Sequence, residues 1–281
     1  MAEGLFALRG PFSFCYLLMT NILLARADQL ILEKGLAPTR SAAQRLVEQG
    51  AVQWSGPKGW TTVRKAGEQL PIECDFQILD DSETRWVSRA GLKLEGALKH
   101  CAFCKHPVDL KDKVCLDVGQ STGGFTEVLL SHGAAQVVGV DVGHGQVHHS
   151  IAEHPQVTVI EGVNARHLTE EDLGEAAPEG GFDVIVGDLS FISMTLVLPA
   201  LVPFLADDGE LLMLVKPQFE LQPEHIGKRG LVKDPASYAE VEARIRQACK
   251  DLGLKVSAYF NSPIAGGDGN REFFVRARKA A

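Results

Sequence analysis

The chain has 281 residues, 45% hydrophobic and 23% charged, with a formal net charge of −8. This is an ordinary globular composition, long enough for one or two domains and for a core that needs no covalent staples. The acidic balance excludes a chain that is basic throughout, as many nucleic-acid binders are. The charge is uneven, however. Between Arg26 and Lys65 stand seven basic residues (Arg26, Lys34, Arg40, Arg45, Lys58, Arg64, Lys65) and three acidic ones (Asp28, Glu33, Glu48), so that segment carries +4. Six cysteines at scattered spacing read as reduced thiols of a cytoplasmic protein, not as a disulfide framework. Cys101 and Cys104 lie between His100 and His106 but lack the second ligand pair that structural zinc needs, so no metal is expected.

Phe12 to Leu24 is apolar, Arg9 precedes it, and Ala25-Arg26-Ala27 imitates a signal-peptide cleavage site. Cleavage after Ala27 would cut into a unit that reads as whole. We therefore take residues 1–25 as a non-native or disordered extension, with Met19 as the natural start. No run reaches the roughly 18 apolar residues of a membrane span, so no membrane partner is expected.

From Arg26 the pattern is helical, with Ala27, Leu30, Ile31 and Leu32 ending at Gly35. Ser41 opens a second helix carrying Ala42, Ala43, Leu46 and Val47 and ending at Gly50. Ala51 to Trp54 reads as a strand, with turns at Ser55-Gly56-Pro57 and Lys65 to Glu68. These elements predict a small α+β domain over 26–86. Asp80-Asp81-Ser82-Glu83 supplies a polar linker. From 87 to 281 strand runs alternate with helical ones: Val114–Val118, Val137–Val140, Val157–Ile160, Val184–Val186 and Leu211–Val215, with helices at Gly124–Ser131 and Ala236–Leu252. That alternation predicts an α/β, doubly wound Rossmann-like sheet, to which Lys255–Phe260 and Glu272–Arg278 add two strands.

The first strand of that sheet runs into Asp117-Val-Gly119-Gln-Ser121-Thr122-Gly123-Gly124-Phe125. A glycine-rich loop here lets a ligand approach the backbone and a helix N-terminus. It lacks the Gly-Lys-Ser/Thr of a phosphate loop and the G-x-G-x-x-G of a dinucleotide site. It carries Asp117 instead, and Asp141 ends the second strand where ribose hydroxyls bind in such folds. Acids beside the loop suit a cationic ligand better than a pyrophosphate. A tight turn without a ligand is the plainer alternative.

Five strings occur in order: Ser88-Arg-Ala-Gly-Leu-Lys-Leu94, Asp117 to Thr126, Asp188-Leu-Ser-Phe-Ile192, Val215-Lys-Pro-Gln-Phe-Glu220, and Ser262-Pro-Ile264 with Gly269-Asn-Arg-Glu-Phe273. Together they resemble the TlyA family of ribosomal RNA 2′-O-methyltransferases, also called haemolysins, with a catalytic part similar to the FtsJ type. The front unit resembles the RNA-binding fold named after a small-subunit ribosomal protein. The family often has glycine where Ala90 stands and Asn-Gly where Ser55-Gly56 stands. The resemblance implies S-adenosyl-L-methionine held around Asp117, Gly119, Ser121, Thr122, Gly123, Gly124, Phe125 and Asp141, with Asn164 toward the adenine edge. It also implies a catalytic tetrad of Lys93, Asp188, Lys216 and Glu272, and ribosomal RNA or ribosomal subunits as partner.

Transfer to a ribose hydroxyl mainly needs two substrates aligned and a proton removed. A neutral lysine serves as base if burial or a second cation lowers its pKa. We assign that role to Lys216, tuning and positioning to Lys93 and Asp188, and the holding of the hydroxyl or a lysine to Glu272. Taken singly, Lys93 reads as a helix-surface lysine and Glu272 gives no signal. Lys216 is held by the following proline at the carboxyl edge of the sheet, where open-sheet ligands bind. Phe191 and Phe219 are candidates to stack on a base, although core packing is the common fate of Phe. Arg26, Arg40 and Arg45 are candidate phosphate contacts, against the simpler reading of a solvated helix face. Three other functions compete: a membrane-active haemolysin, a catalytically silent ribosome assembly factor, and methylation of a base nitrogen. The last often uses Asn/Asp-Pro-Pro-aromatic, where this chain has Asp188-Leu-Ser-Phe191.

Overall fold

The computed structural model of the chain describes residues 23–81 and 84–280. The extension reading falls almost wholly on residues 1–22, outside the described residues. The chain divides into two compact units, one up to Asp80 and one from Asp81 onward.

In the first unit, strand β1 (Leu24–Arg26) leads into helices α1 (Ala27–Glu33) and α2 (Arg40–Glu48). Strands β2 (Val52–Gly56), β3 (Gly59–Thr62), β4 (Gln69–Pro71) and β5 (Phe76–Ile78) follow. β2 pairs antiparallel with β3 and β5, and β1 with β4. The second helix starts one residue before Ser41 because Thr39 caps it, its hydroxyl accepting from Ala42 N at 3.1 Å. Leu30, Ile31, Leu46 and Val52, at most 3% exposed, close this unit's core.

In the second unit, helix α3 (Ala90–Phe103) precedes strand β6 (Val114–Val118) and helix α4 (Gly124–Ser131). Then come β7 (Gln136–Asp141), α5 (His149–Ala152), β8 (Val157–Glu161), α6 (Glu170–Leu173) and β9 (Phe182–Gly187). The rest is α7 (Met194–Leu201), β10 (Leu205–Val215), α8 (Pro217–Glu220), α9 (Ser237–Asp251), β11 (Leu254–Asn261) and β12 (Phe273–Lys279). Seven strands form one sheet in the order β11-β12-β10-β9-β6-β7-β8. Strands β6 to β10 are parallel, and β12 runs antiparallel to both of its neighbours. The sheet is therefore mixed, with a doubly wound parallel part. Val138, Ile185, Leu211 and Val275, all fully buried, belong to the apolar layer on one face, and Cys115, Val137, Leu212 and Phe274 to that on the other. Trp86 packs in the second of these layers.

The chain leaves β6 for β7 on one side, and β9 returns to pair with β6 on the other. That reversal opens a crevice at the carboxyl ends of β6 and β9, the place where open α/β sheets bind ligands.

Candidate active site

Four strand and helix ends converge on this crevice. Lys93 comes from the first turns of α3, Asp188 follows β9, Lys216 follows β10, and Glu272 precedes β12. The antiparallel register pairs Val215 with Phe273, which sets Lys216 and Glu272 at adjoining strand ends although 56 residues separate them. Lys93 Nζ lies 2.6 Å from Glu272 Oε2 and 3.5 Å from Asp188 Oδ2. Lys216 Nζ lies 2.5 Å from Asp188 Oδ1 and donates to Ser190 Oγ at 2.7 Å. The Lys93 side chain is 9% exposed and that of Glu272 2%, so this is a largely desolvated network and not a surface one. The surface reading of Lys93 fails because its partners, which no local pattern reveals, come from β9 and from before β12. Burial pushes the Glu272 carboxyl above its ordinary range, Lys93 opposes the shift, and Asp188 adds to it.

On one side of the tetrad lies a cavity of about 540 Å³ lined by Gly119, Ser121, Asp141, Val142, Asn164 and Asp188, among others. Its lining holds two carboxylates and no lysine, arginine or histidine. Such a surface disfavours pyrophosphate and accepts a cation. Asp141 Oδ2 accepts from Ser121 N and Oδ1 from Gly143 N, both at 2.7 Å, which fixes the carboxylate at the loop. Gly119, at φ +80°, has no room for a side chain: a Cβ there would sit 2.9 Å from the Asp188 carbonyl oxygen. The backbone of the loop thus meets the end of β9 directly. Val142, just after β7 and 67% exposed, adds an apolar wall to the cavity. This donor set fits S-adenosylmethionine: a carboxylate for ribose hydroxyls, apolar walls for adenine, and negative charge for a sulfonium and an ammonium.

The expected cofactor residues do not all reach this cavity. Gly119, Ser121, Asp141 and Asn164 line this cavity, and Asn164 Oδ1 already accepts from Arg166 N at 3.0 Å. Thr122 and Phe125 line a smaller adjoining cavity of about 280 Å³ that also contains Lys216. Asp117 is 1% exposed and lines neither. Its Oδ2 accepts from Thr126 Oγ1 at 2.7 Å, and Thr126 in turn accepts from Gln120 Nε2 at 2.9 Å. Burial pushes the Asp117 carboxyl up to about 7. It therefore braces the loop from beneath. Gly123, at φ +97°, turns the chain into α4, and Gly124 lies against Ser88, where a Cβ would collide with Ser88 Oγ.

On the other side of the tetrad a cavity of about 570 Å³ is lined by Lys93, Lys216, Glu272, Phe191, Phe219 and Arg229, among others. Ser190 and Phe191 line both large cavities. Phe191 is 90% exposed at φ +64°, and its ring lies 5.3 Å from that of Phe219. Core packing is thus not its fate. Reading the sequence missed Ser190 and two residues that line the first cavity, Val142 and Gln146; only Ser190 had a signal, its place between Asp188 and Phe191.

The three candidate arginines of the first unit are tied more closely to its interior than their charge implied. Arg26 Nε donates to Asp28 Oδ1 and Arg40 Nε to Asp28 Oδ2, both at 3.0 Å, and Asp28 is fully buried. Hydrogen bonds from Arg26, Gln44 and Arg40 hold the Asp28 carboxyl well below the usual range. Arg26 and Arg40 still expose about half of their side chains, 42% and 51%. Arg45 lies in the last turn of α2 and is half-buried. Among the described residues no group of three or more His, Cys, Asp or Glu is placed to hold a metal ion, and no helix is long and apolar enough to cross a membrane.

A doubly wound sheet with an acidic ligand cavity at its switch point and a lysine–carboxylate tetrad beside it defines a group-transfer enzyme. Residues 86–279 match the FtsJ-like methyltransferase model and residues 25–53 the S4 domain. The chain belongs to the FtsJ-like methyltransferase family. It is 40% identical over 254 residues, 90% of each chain, to the 16S/23S rRNA (cytidine-2′-O)-methyltransferase TlyA of Mycobacterium tuberculosis. It is 34% identical to Hemolysin A of Brachyspira hyodysenteriae, over 89% of this chain and 98% of that one. A solved structure from Streptococcus thermophilus, also described as a hemolysin, superposes with a TM-score of 0.68 at 35% identity, covering 92% of this chain and 90% of that one.

Proposed function

We propose that the protein is an S-adenosylmethionine-dependent methyltransferase that modifies a ribose 2′-hydroxyl of ribosomal RNA. The observation that carries this reading is the Lys93–Asp188–Lys216–Glu272 network, set between a cavity lined by carboxylates and a second one rimmed by aromatic side chains. The 2′-O specificity of the Mycobacterium tuberculosis relative supports it.

When bound, S-adenosylmethionine supplies an electrophilic methyl group. Asp141 would hold the ribose hydroxyls, Val142 and Asn164 would flank the adenine, and the Gly119 backbone lines the crevice beside it. Phe191 and Phe219 receive the base of the acceptor nucleotide, unstacked from its neighbours, so that its ribose reaches the tetrad. Lys216, after its ammonium has given up a proton to solvent, takes the proton of the 2′-hydroxyl, with Ser190 and Asp188 fixing where its Nζ points. Lys93, gripped by Glu272 and Asp188, supplies positive charge to steady the developing alkoxide. The first unit contributes phosphate contacts through Arg40 and Arg45, which position without reading sequence. A ribosomal substrate supports a cytoplasmic location.

Incubation with labelled S-adenosylmethionine and purified ribosomal subunits tests the assignment. Label transfer that is lost in Lys216→Ala while cofactor binding persists is the expected result. Transfer at a near-normal rate by Lys216→Arg, whose guanidinium stays protonated, refutes Lys216 as base.

A further inference from the structure

Arg229 occupies a left-handed backbone conformation, φ +64° and ψ +21°, which a side-chain-bearing residue adopts at a cost. The turn around it is held in place. Gly227 N donates to Leu231 O at 2.7 Å, and Ile226 bridges Val232. Asn270, 3% exposed, accepts from Val232 N through Oδ1 at 3.0 Å and donates to Gly230 O through Nδ2 at 2.8 Å. Asn270 lies two residues before Glu272, so the turn is clamped to the segment that delivers the tetrad carboxylate. A strained turn fastened by a buried amide is costly upkeep for a residue that merely decorates the surface.

The charges of the acceptor-side cavity show what Arg229 adds. Lys93, Lys216 and Arg229 are its cations, and Asp268 and Glu272 its anions, with Asp188 gripping both lysines from behind. Both lysines are engaged by carboxylates, whereas Arg229 has no carboxylate within 4.0 Å among the described residues. Asp268 accepts from Gln218 Nε2 and from Asn270. Without Arg229 the three anions would outnumber the two lysines, and a polyanionic substrate would meet a repelling entrance.

We infer that Arg229 is a substrate-positioning residue whose guanidinium grips a backbone phosphate next to the methylated ribose. The inference rests on reading this cavity as the acceptor site. A planar fork of donors suits a phosphate oxygen pair, and such contacts fix register without reading the base.

The test compares wild type with Arg229→Gly, which is at home at this backbone angle and so leaves the turn intact, and with Arg229→Lys. Methyl transfer to ribosomal subunits is measured across a salt series, and S-adenosylmethionine binding by calorimetry. Arg229→Gly should raise KM for subunits on the order of tenfold with a smaller change in kcat, since one charge-assisted contact is lost. The slope of log(kcat/KM) against log salt should become shallower by about 0.7 to 0.9, one phosphate's share. Arg229→Lys should restore most of that slope, and cofactor affinity should not move. An unchanged slope in Arg229→Gly, or a matching loss of cofactor affinity, overturns the role of Arg229 while leaving the acceptor reading standing. Wild-type protein that transfers no methyl to any subunit overturns that reading and this inference together.

Discussion

Lys93 is the member of the tetrad whose removal has the largest structural consequence. In Lys93→Met the Glu272 carboxylate, its side chain 2% exposed, loses the ammonium that lies 2.6 Å away. Breaking a buried pair by deleting one partner costs about 3–5 kcal/mol, because the remaining charge is left desolvated. Lys216 stays within the same network through Asp188, so we expect the lower end, about 3 kcal/mol at pH 8. For a unit of this size that corresponds to a fall of roughly 6–12 °C in melting temperature. The pH dependence sharpens the test. Burial already raises the Glu272 carboxyl, and Lys93 works against that rise. An acid with a raised folded-state pKa binds more protons when folded, so stability falls as pH climbs through that range. Without Lys93 the carboxyl moves higher still, and the variant should lose stability more steeply than wild type from pH 5 to pH 8. As pH falls toward 5 the unpaired carboxyl of the variant gains its proton more readily than the paired one of wild type, so the gap between the two proteins should narrow. Urea unfolding at both pH values measures this, with Lys93→Met/Glu272→Gln expected to recover most of the loss at pH 8. A deficit below about 1 kcal/mol at pH 8, or one equal at both pH values, would refute the buried-pair reasoning.

Three further outcomes follow from the same contacts. Asp117, with its carboxyl raised to about 7, holds a proton in the fold that it loses on unfolding above its ordinary range, so its contribution declines as pH rises from about 4 to 7. Asp117→Asn should flatten that decline and be the more stable protein at pH 8, by as much as about 4 kcal/mol in thermal or urea unfolding. Gly119→Ala should weaken S-adenosylmethionine binding at least about tenfold by calorimetry, since it pairs an unfavourable φ with a 2.9 Å contact to Asp188. Arg40→Ala with Arg45→Ala should lower affinity for ribosomal RNA and make its salt dependence shallower by about 1.5 in log–log slope; unchanged binding would remove the first unit from RNA recognition.

Much of the sheet was legible because its signals are local. β6 ends where the apolar run ends, at Val118, and α4 begins where the glycines end, at Gly124. β10 begins at Leu205, six residues before the run that betrays it, because the intervening exposed Asp207-Asp208 breaks the apolar pattern and the register with β9 shifts there. The cofactor loop was legible as glycines and acids, but Asp117 and Asp141 look alike in sequence. One braces Thr126 in the core and the other lines the cavity, a division made by strand ends meeting across the sheet. Glu272 gave no signal because its partner stands 179 residues earlier. Asp28 was counted only as one negative charge in a basic segment, although it is the buried hub that two arginines share.

The central claim is tested most directly by the chemical position of the transferred methyl. Ribosomal subunits labelled by the wild-type protein would be digested to nucleosides and the label located by mass. The account predicts a 2′-O-methylated ribose. A methyl on a base would leave the fold and the cofactor cavity in place and contradict the role given to the tetrad.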